Sequence, residues 1–146
     1  MERNSLFGPM SISASGMAAE RLRMEVIANN IANAQSTRTP SGEPFRRQDV
    51  IFETVVDRSG GRGSPDAGMR GVRAAEVVDD PSPFQRIYMP GHPEADEQGY
   101  VMYPNVHLPI EMVKLLTAMR SYEVNLKAAQ AYRQINEQAL LLLKVS

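Results

Sequence analysis

An uninterrupted helical pattern at the C-terminal end of the chain constrains the fold more than any other feature. No glycine or proline occurs from Ile110 to Ser146. Apolar residues recur there at steps of three and four, which is the spacing of one helix face. Pro109 suits the first turn of a helix, and Glu111 suits its positive N-terminal end. The sequence therefore predicts a C-terminal helix over residues 109–146, on the order of 50 Å long.

This helix carries two parallel apolar seams. The first seam comprises Met112, Leu115, Met119, Tyr122, Leu126, Ala129, Asn136, Leu140 and Leu143. The second seam comprises Val113, Thr117, Val124, Ala128, Ala131, Ile135, Ala139 and Leu142. The rest of a chain this short cannot cover both seams, so the spacing favours coiled-coil packing between the two ends of the chain and between copies. Periodicity alone leaves open an ordinary α+β domain with two core helices.

A second helical pattern covers residues 10–35, within an N-terminal assembly segment of residues 1–35. Pro9 precedes it, Ser11 or Ser13 can cap it, and Pro40 prevents its continuation. Its apolar face includes Ile12, Ala19, Leu22, Val26 and Ile27. This broad face needs a partner surface, and the C-terminal helix can provide one.

Three asparagines near the end of the first helix do not fit a plain apolar face. Asn29 and Asn33 fall on the seam that should be buried, and Asn30 lies beside them. A buried asparagine needs hydrogen-bond partners, and at a seam position it usually fixes register or partner choice. Asn33 or one of its neighbours is also placed to cap the helix C-terminus.

The middle segment, residues 36–108, has a different composition. It holds eight of the ten prolines and eight of the ten glycines. Apolar alternation predicts strands over residues 47–53, 71–78 and 85–89. Residues 58–68 lack an apolar pattern, which predicts a flexible loop between the first two strands. The fold class is therefore α+β, with a small Gly/Pro-rich, β-containing segment between two long helices.

Composition excludes several classes of function. The absence of cysteine rules out a disulfide framework and a thiolate metal site. A formal net charge of −1 gives no basic excess for nucleic acid. No apolar run approaches the roughly 20 residues that span a bilayer, so no direct membrane insertion is expected. The polar start of the chain also lacks the apolar region of a cleaved signal peptide.

An enzymatic alternative rests on His92, one of two histidines in the chain. Glu94, Asp96 and Glu97 follow it closely, so an acid/base pair or a metal site is conceivable there. The spacing matches no ligand pattern, however, and two prolines make this segment a rigid turn. We expect no catalytic residue, no cofactor and no metal, and a small hydrolase using His92 stays the alternative.

Several sequence words resemble the bacterial flagellar rod and hook proteins. Residues 13–17 (SASGM) and 28–33 (ANNIAN) resemble the N-terminal signature of that family. Residues 88–93 (YMPGHP), 99–106 (GYVMYPNV) and 111–125 resemble its proximal-rod members. The resemblance covers nearly the whole chain outside residues 53–71, and the order and spacing of the words are more specific than any single word. Another rod-family subunit is the alternative within this class.

The resemblance implies a structural subunit of the periplasmic rod in the flagellar basal body. It implies export by the flagellar type III apparatus without signal cleavage, and partners among other rod proteins, further copies of the chain and membrane-ring or export-gate adaptor proteins. The terminal helices would form an inner coiled-coil layer around the export channel and transmit torque. The assembly interface expected from seams and resemblance comprises Ile12, Ala19, Leu22, Val26, Ile27, Asn29, Asn30, Asn33, Leu115, Met119, Tyr122, Leu126 and Ile135.

Overall fold

The structure is a computed structural model that describes residues 8–56 and 69–145. The predicted loop at residues 58–68 lies outside these residues. The elements, in chain order, are α1 (Gly8–Ala32), β1 (Gln48–Val56), β2 (Met69–Asp79), β3 (Gln85–Tyr88), β4 (Tyr100–Tyr103) and α2 (Leu108–Val145). Two long helices and a small β-containing middle confirm the coarse form of the predicted α+β class.

Helix α1 begins and ends earlier than the sequence predicts. It starts at Gly8, so Pro9 occupies the first turn and the two candidate cap serines lie inside the helix. Proline is well suited to that position because its φ is already helical and it has no N–H to leave unpaired. The helix ends at Ala32, where the Asn33 side chain donates to the Asn29 carbonyl at 3.0 Å. The Asn33 backbone amide already donates to the same carbonyl at 3.1 Å, so the side chain adds a second bond there and Asn33 does not adopt the left-handed cap conformation.

In the part of the middle segment that the structure describes, the strands form two separate antiparallel sheets of two strands each. Strand β1 pairs with β2 with register shifts, and β3 pairs with β4 so that Tyr88 lies opposite Tyr100. Strands β1, β2 and β3 were predicted within a few residues of their observed bounds. Strand β4 was not predicted, since a four-residue strand carries too little alternation to stand out.

Helix α1 lies between α2 on one side and the β1–β2 sheet on the other. On the sheet side, the Arg23 guanidinium stacks over the Phe52 ring at 4.1 Å. The Ser15 hydroxyl accepts a hydrogen bond from the Val72 amide at 3.0 Å. A Cβ on Gly71 would meet Ser15 Oγ at 2.2 Å, so close approach of this strand to α1 requires glycine. These contacts make α1 the central layer of the subunit.

The two helices run antiparallel. Asn30, near the end of α1, bonds to Glu111 in the first turn of α2. Fourteen residues back along α1, a Cβ on Gly16 would meet the Asn125 side chain at 2.9 Å. Because the two contacts are equally far apart along both helices, the helices run alongside each other without slipping in register. Beyond about Asn125, α2 approaches and then passes the start of α1.

Candidate functional site: a buried polar junction and uncovered helix seams

Asn30 is the centre of a polar junction where α1, β1 and α2 meet. Its side chain is fully buried, at 0% exposure. The carboxamide accepts from the Gln48 amide at 2.9 Å and donates to the Gln48 carbonyl at 2.8 Å. It also donates to Glu111 Oε2 at 3.1 Å. Asn30 therefore ties the first residue of β1 to the first turn of α2.

Arg47 supplies the positive charge of the junction. Its guanidinium contacts Glu111 at 2.8 Å, Asp80 at 2.6 Å and Asp49 at 2.8 Å. Lys114 lies 3.7 Å from the Glu111 carboxylate and 3.6 Å from that of Asp49. Glu111 is only 1% exposed, so these partners and Asn30 compensate a carboxylate that has lost its water.

Asn105 closes the junction on the side of the second sheet. Its Oδ1 accepts from the Arg47 amide at 2.8 Å. Its Nδ2 donates to the Asp80 and Ser82 carbonyls, both at 3.2 Å. Asn105 is buried together with Pro104 and Val106, so the segment before α2 is held against the end of β2.

The junction lowers the pKa of Asp80 and of Asp49 and raises the pKa of Arg47, so each group is favoured in its charged form. Hydrogen bonds from Ser82, and then the Arg47 guanidinium, lower the pKa of Asp80 to about 2. Burial raises the pKa of Asp49, but hydrogen bonds from Arg47 and the Val50 amide lower it more, so its pKa ends below normal. Burial lowers the pKa of Arg47, and its three carboxylate partners raise it to a net value above normal.

These shifts predict acid sensitivity. A carboxylate whose folded pKa is depressed stabilises the fold above its unfolded pKa, about 3.9 for Asp, and that stability is lost as the pH falls toward the folded value. We expect the urea midpoint of the isolated chain to fall between about pH 4 and pH 2. Asp80→Asn removes one titrating group and should flatten the fall. A wild-type midpoint that is constant across this range would contradict the depressed pKa values.

The apolar seams of α2 are left largely uncovered within the chain. The face of α2 turned toward α1 runs through Glu111, Ala118 and Asn125, at steps of seven, and Ala118 is buried. Leu115 and Tyr122 of the first seam lie beside this face and are half-buried, whereas the second seam lies away from it. Side chains of both seams are exposed, including Val124 at 66% and Leu142 at 75%. Met112, Val113, Met119, Leu126, Ile135 and Leu140 are exposed as well.

The predicted interface residues thus divide into three groups by their exposure. Four are buried inside the chain: Ala19, Val26, Ile27 and Asn30. Leu22, Asn33, Leu115 and Tyr122 are half-buried, whereas Ile12, Asn29, Met119, Leu126 and Ile135 are exposed. The expectation that Asn29 is buried is wrong for the chain by itself. The buried asparagine is its neighbour Asn30, about 100° around the helix.

Sequence reasoning missed most of the polar junction. The sequence places Glu111 at the helix N-terminus and in a family word, Arg47 at the start of a strand, and Asn105 only in a family word. Their meeting depends on contacts between residues more than fifty positions apart, which no local pattern reports. The one available signal was an arginine directly before a strand with several carboxylates elsewhere in the chain.

The His92 turn is held by hydrogen bonds within its own segment. The imidazole Nδ1 accepts from the Glu94 amide at 3.1 Å. Asp96 instead accepts from the Gln98 and Tyr100 amides and pairs with Arg86 at 3.2 Å. Among the described residues no group of His, Cys, Asp and Glu could hold a metal ion. Neither described helix has both the length and the apolar character to cross a membrane.

Comparison with known proteins defines the class first. Residues 10–38 match the family model for flagella basal body rod proteins. Residues 97–142 match the C-terminal model of flagellar basal body rod FlgEFG proteins. The two matches cover parts of α1 and α2, together with β4, and make the chain a structural component of the flagellar basal-body rod.

Full-length relatives then narrow the class. The chain is 39% identical to the flagellar basal-body rod protein FlgC of Borreliella burgdorferi, over 95% of this chain and 98% of that protein. It is 42% identical to FlgC of Aquifex aeolicus, over 90% of this chain and 92% of the relative. The chain belongs to the FlgC family of flagellar basal-body rod proteins. This agrees with the family resemblance of its sequence words and with a location in the flagellar basal body.

Proposed function

We propose that the chain is a non-enzymatic subunit of the proximal rod that assembles with its neighbours through the uncovered seams of α2. The observation that carries this proposal is the exposure of large apolar side chains along both seams. An exposed apolar surface of this extent is typical of a protein interface, since its burial on association is favourable. Heptad-like spacing further supports helix-to-helix packing of the coiled-coil type.

The predicted interface residues differ in exposure, and this supports two roles for them: packing inside the subunit and contact with neighbouring subunits. Ala19, Val26, Ile27 and Asn30 hold α1 inside the subunit and fix its register against α2 through the polar junction. Met119, Leu126 and Ile135, at the surface, contact neighbouring helices. The N-terminal segment 1–35 and the C-terminal segment 109–146 thus form the assembly layer, and the β-containing segment 36–108 forms an outer layer.

The function that follows is mechanical. Interfaces of packed apolar side chains resist shear through many small dispersion contacts, which suits a tube that transmits torque. In this proposal the helix layer surrounds the export channel, and the chain reaches the periplasm through the flagellar type III apparatus. Its partners are copies of itself, other rod proteins and adaptor proteins of the membrane ring or export gate.

Replacing His92 separates this proposal from an enzymatic one. In a strain in which the His92→Ala variant replaces the wild-type subunit, we expect normal swimming and normal recovery of the subunit in purified basal bodies. The imidazole makes one exposed bond to its own turn, and a surface change of that kind costs about 0.5 kcal/mol or less. Loss of swimming with an unchanged amount of subunit in the basal bodies would support a chemical role for His92 and contradict the proposal.

A further inference from the structure

The side of α2 that points away from α1 combines exposed apolar side chains with unpaired positive charge. We call Val113, Leu116, Arg120, Val124 and Lys127 the outer face. These positions step by three and four, so their side chains point the same way. Val113 is 63% exposed and Leu116 is exposed beside it. Neither Arg120 nor Lys127 has a carboxylate within 4 Å among the described residues, although Glu123 lies between them on the same side of α2.

The second sheet offers a surface of the opposite charge. We call residues 85–103, which comprise β3, the turn and β4, the arm. Its register puts Arg86 beside Met102 and Tyr88 beside Tyr100 on one face. Tyr88 is 63% exposed, and Met102 is also exposed. The face therefore presents a tyrosine and a methionine, residue types that are enriched at protein interfaces.

The turn of the arm carries the negative charge. The arm contains one arginine, Arg86, against three carboxylates, Glu94, Asp96 and Glu97, which gives 1 − 3 = −2. Asp96 neutralises Arg86 directly. Glu94 and Glu97 are exposed and have no cationic partner among the described residues. Glu94 and Glu97, next to an apolar face, thus complement the outer face, where Arg120 and Lys127 outnumber Glu123.

Within one chain these two surfaces do not meet. Strands β3 and β4 pair with each other and lie against neither helix in the described part of the chain. Within the described residues, Tyr88 and Met102 of the arm and Val113 and Leu116 of the outer face therefore remain exposed to another molecule.

We infer that the arm of one copy docks on the outer face of α2 of a second copy. This rests on the proposed rod function and adds a second contact to the helix seams. The first seam and the part of α2 after Lys127 remain available for helix packing. Val113 and Val124, which belong to the second seam, lie under the arm. Opposite charges on the two surfaces favour the pairing of arm with outer face over other pairings and accelerate their encounter.

The contact joins two different surfaces, so it is heterologous. A head-to-tail contact of this kind closes into a ring or continues as a helical array, and it does not stop at a two-fold dimer. The charges also act against the wrong pairing, since arm against arm brings four unpaired carboxylates together. The geometry thus gives the assembly a direction around the rod axis.

Disulfide trapping tests the contact, because the chain has no cysteine of its own. Two differently tagged copies, one with Met102→Cys and one with Leu116→Cys, are expressed together, and the purified basal bodies are oxidised. We expect a disulfide-linked pair that carries both tags and disappears on reduction. Leu141→Cys in place of Leu116→Cys is the matched control and should give no pair, since it is exposed on the same helix but far from the outer face.

Charge reversal provides the second arm of the test. Arg120→Glu with Lys127→Glu should abolish the cross-link, and adding Glu94→Lys with Glu97→Lys should restore it. If both cysteine variants are present in basal bodies and no mixed pair forms, the arm contact is wrong although the rod function stands. A pair between Leu116→Cys and a different basal-body protein would overturn the assignment to a second copy. Absence of the wild-type chain from basal bodies would instead overturn the proposed function.

If Leu116→Cys does not enter basal bodies, Val113→Cys replaces it, since both side chains lie on the outer face. If neither Leu116→Cys nor Val113→Cys forms a mixed pair with Met102→Cys, the proposed contact is wrong.

Discussion

Replacing Glu111 with leucine should lower the free energy of unfolding of the isolated chain by about 3 kcal/mol. Removing one partner of a buried ion pair costs about 3–5 kcal/mol, because the other partner stays buried without compensation. We expect the lower end of that range, since Arg47 keeps Asp49 and Asp80 as partners. Asn30 loses its bond to α2 at the same time. Urea unfolding followed by circular dichroism measures the change.

Two variants show whether the charge of Glu111 or its hydrogen bonds matter more. Glu111→Gln keeps an acceptor for Asn30 and Arg47 and should cost about 1.5–3 kcal/mol, the range for a hydrogen bond to a charged group. Glu123→Leu, on the exposed side of α2, is the matched control and should change stability by about 0.5 kcal/mol or less. Equal unfolding midpoints for Glu111→Leu and Glu123→Leu would show that the junction does not stabilise the fold.

Replacing Leu126 with aspartate should block assembly while leaving the subunit folded. Leu126 belongs to the first seam and is already 38% exposed in the chain, so the isolated subunit should lose only about 1 kcal/mol or less. In a packed interface the same carboxylate is buried without a partner, which costs several kcal/mol or forces its protonation. The penalty recurs at every copy, so the assembly suffers more than the monomer. Recovery of the subunit in purified basal bodies gives the result.

The measurement needs an export control and a neutral variant. The amount of Leu126→Asp in the exported fraction shows whether the chain was lost before assembly. Glu123→Ala, three residues away, should assemble normally. Leu126→Asp present in basal bodies at the wild-type level would mean that the first seam is not an assembly surface.

The long helices were predictable because their signals are local. Apolar spacing and the absence of glycine and proline predict α2, and Pro109 correctly indicates its first turn. Strand β4 was missed because four residues carry little pattern. The centre of the face of α2 that covers α1 was also missed, because Glu111 and Asn125 are polar and Ala118 is small. Close helix approach favours small and hydrogen-bonding residues there, so the most apolar stripes lie at the surface.

The asparagine cluster shows how residue spacing along a helix can indicate the wrong buried face. A seam counted in steps of three and four places Asn29 and Asn33 on the buried side. The structure buries Asn30 instead, because β1 also presses on α1 and offers the backbone of Gln48. Which face of a helix is buried thus depends on the strand beside it. That strand comes from a distant part of the chain, so the helix pattern alone could not identify the buried asparagine.

A structure of the intact basal body at side-chain resolution tests most directly whether the seams of α2 assemble the rod. We expect the subunit to appear with its two helices in the inner layer and the β-containing segment outside. Met119 and Leu126 should then pack against helices of neighbouring subunits. A map in which these side chains face solvent, with neighbours held only through the β-containing segment, would contradict the proposal.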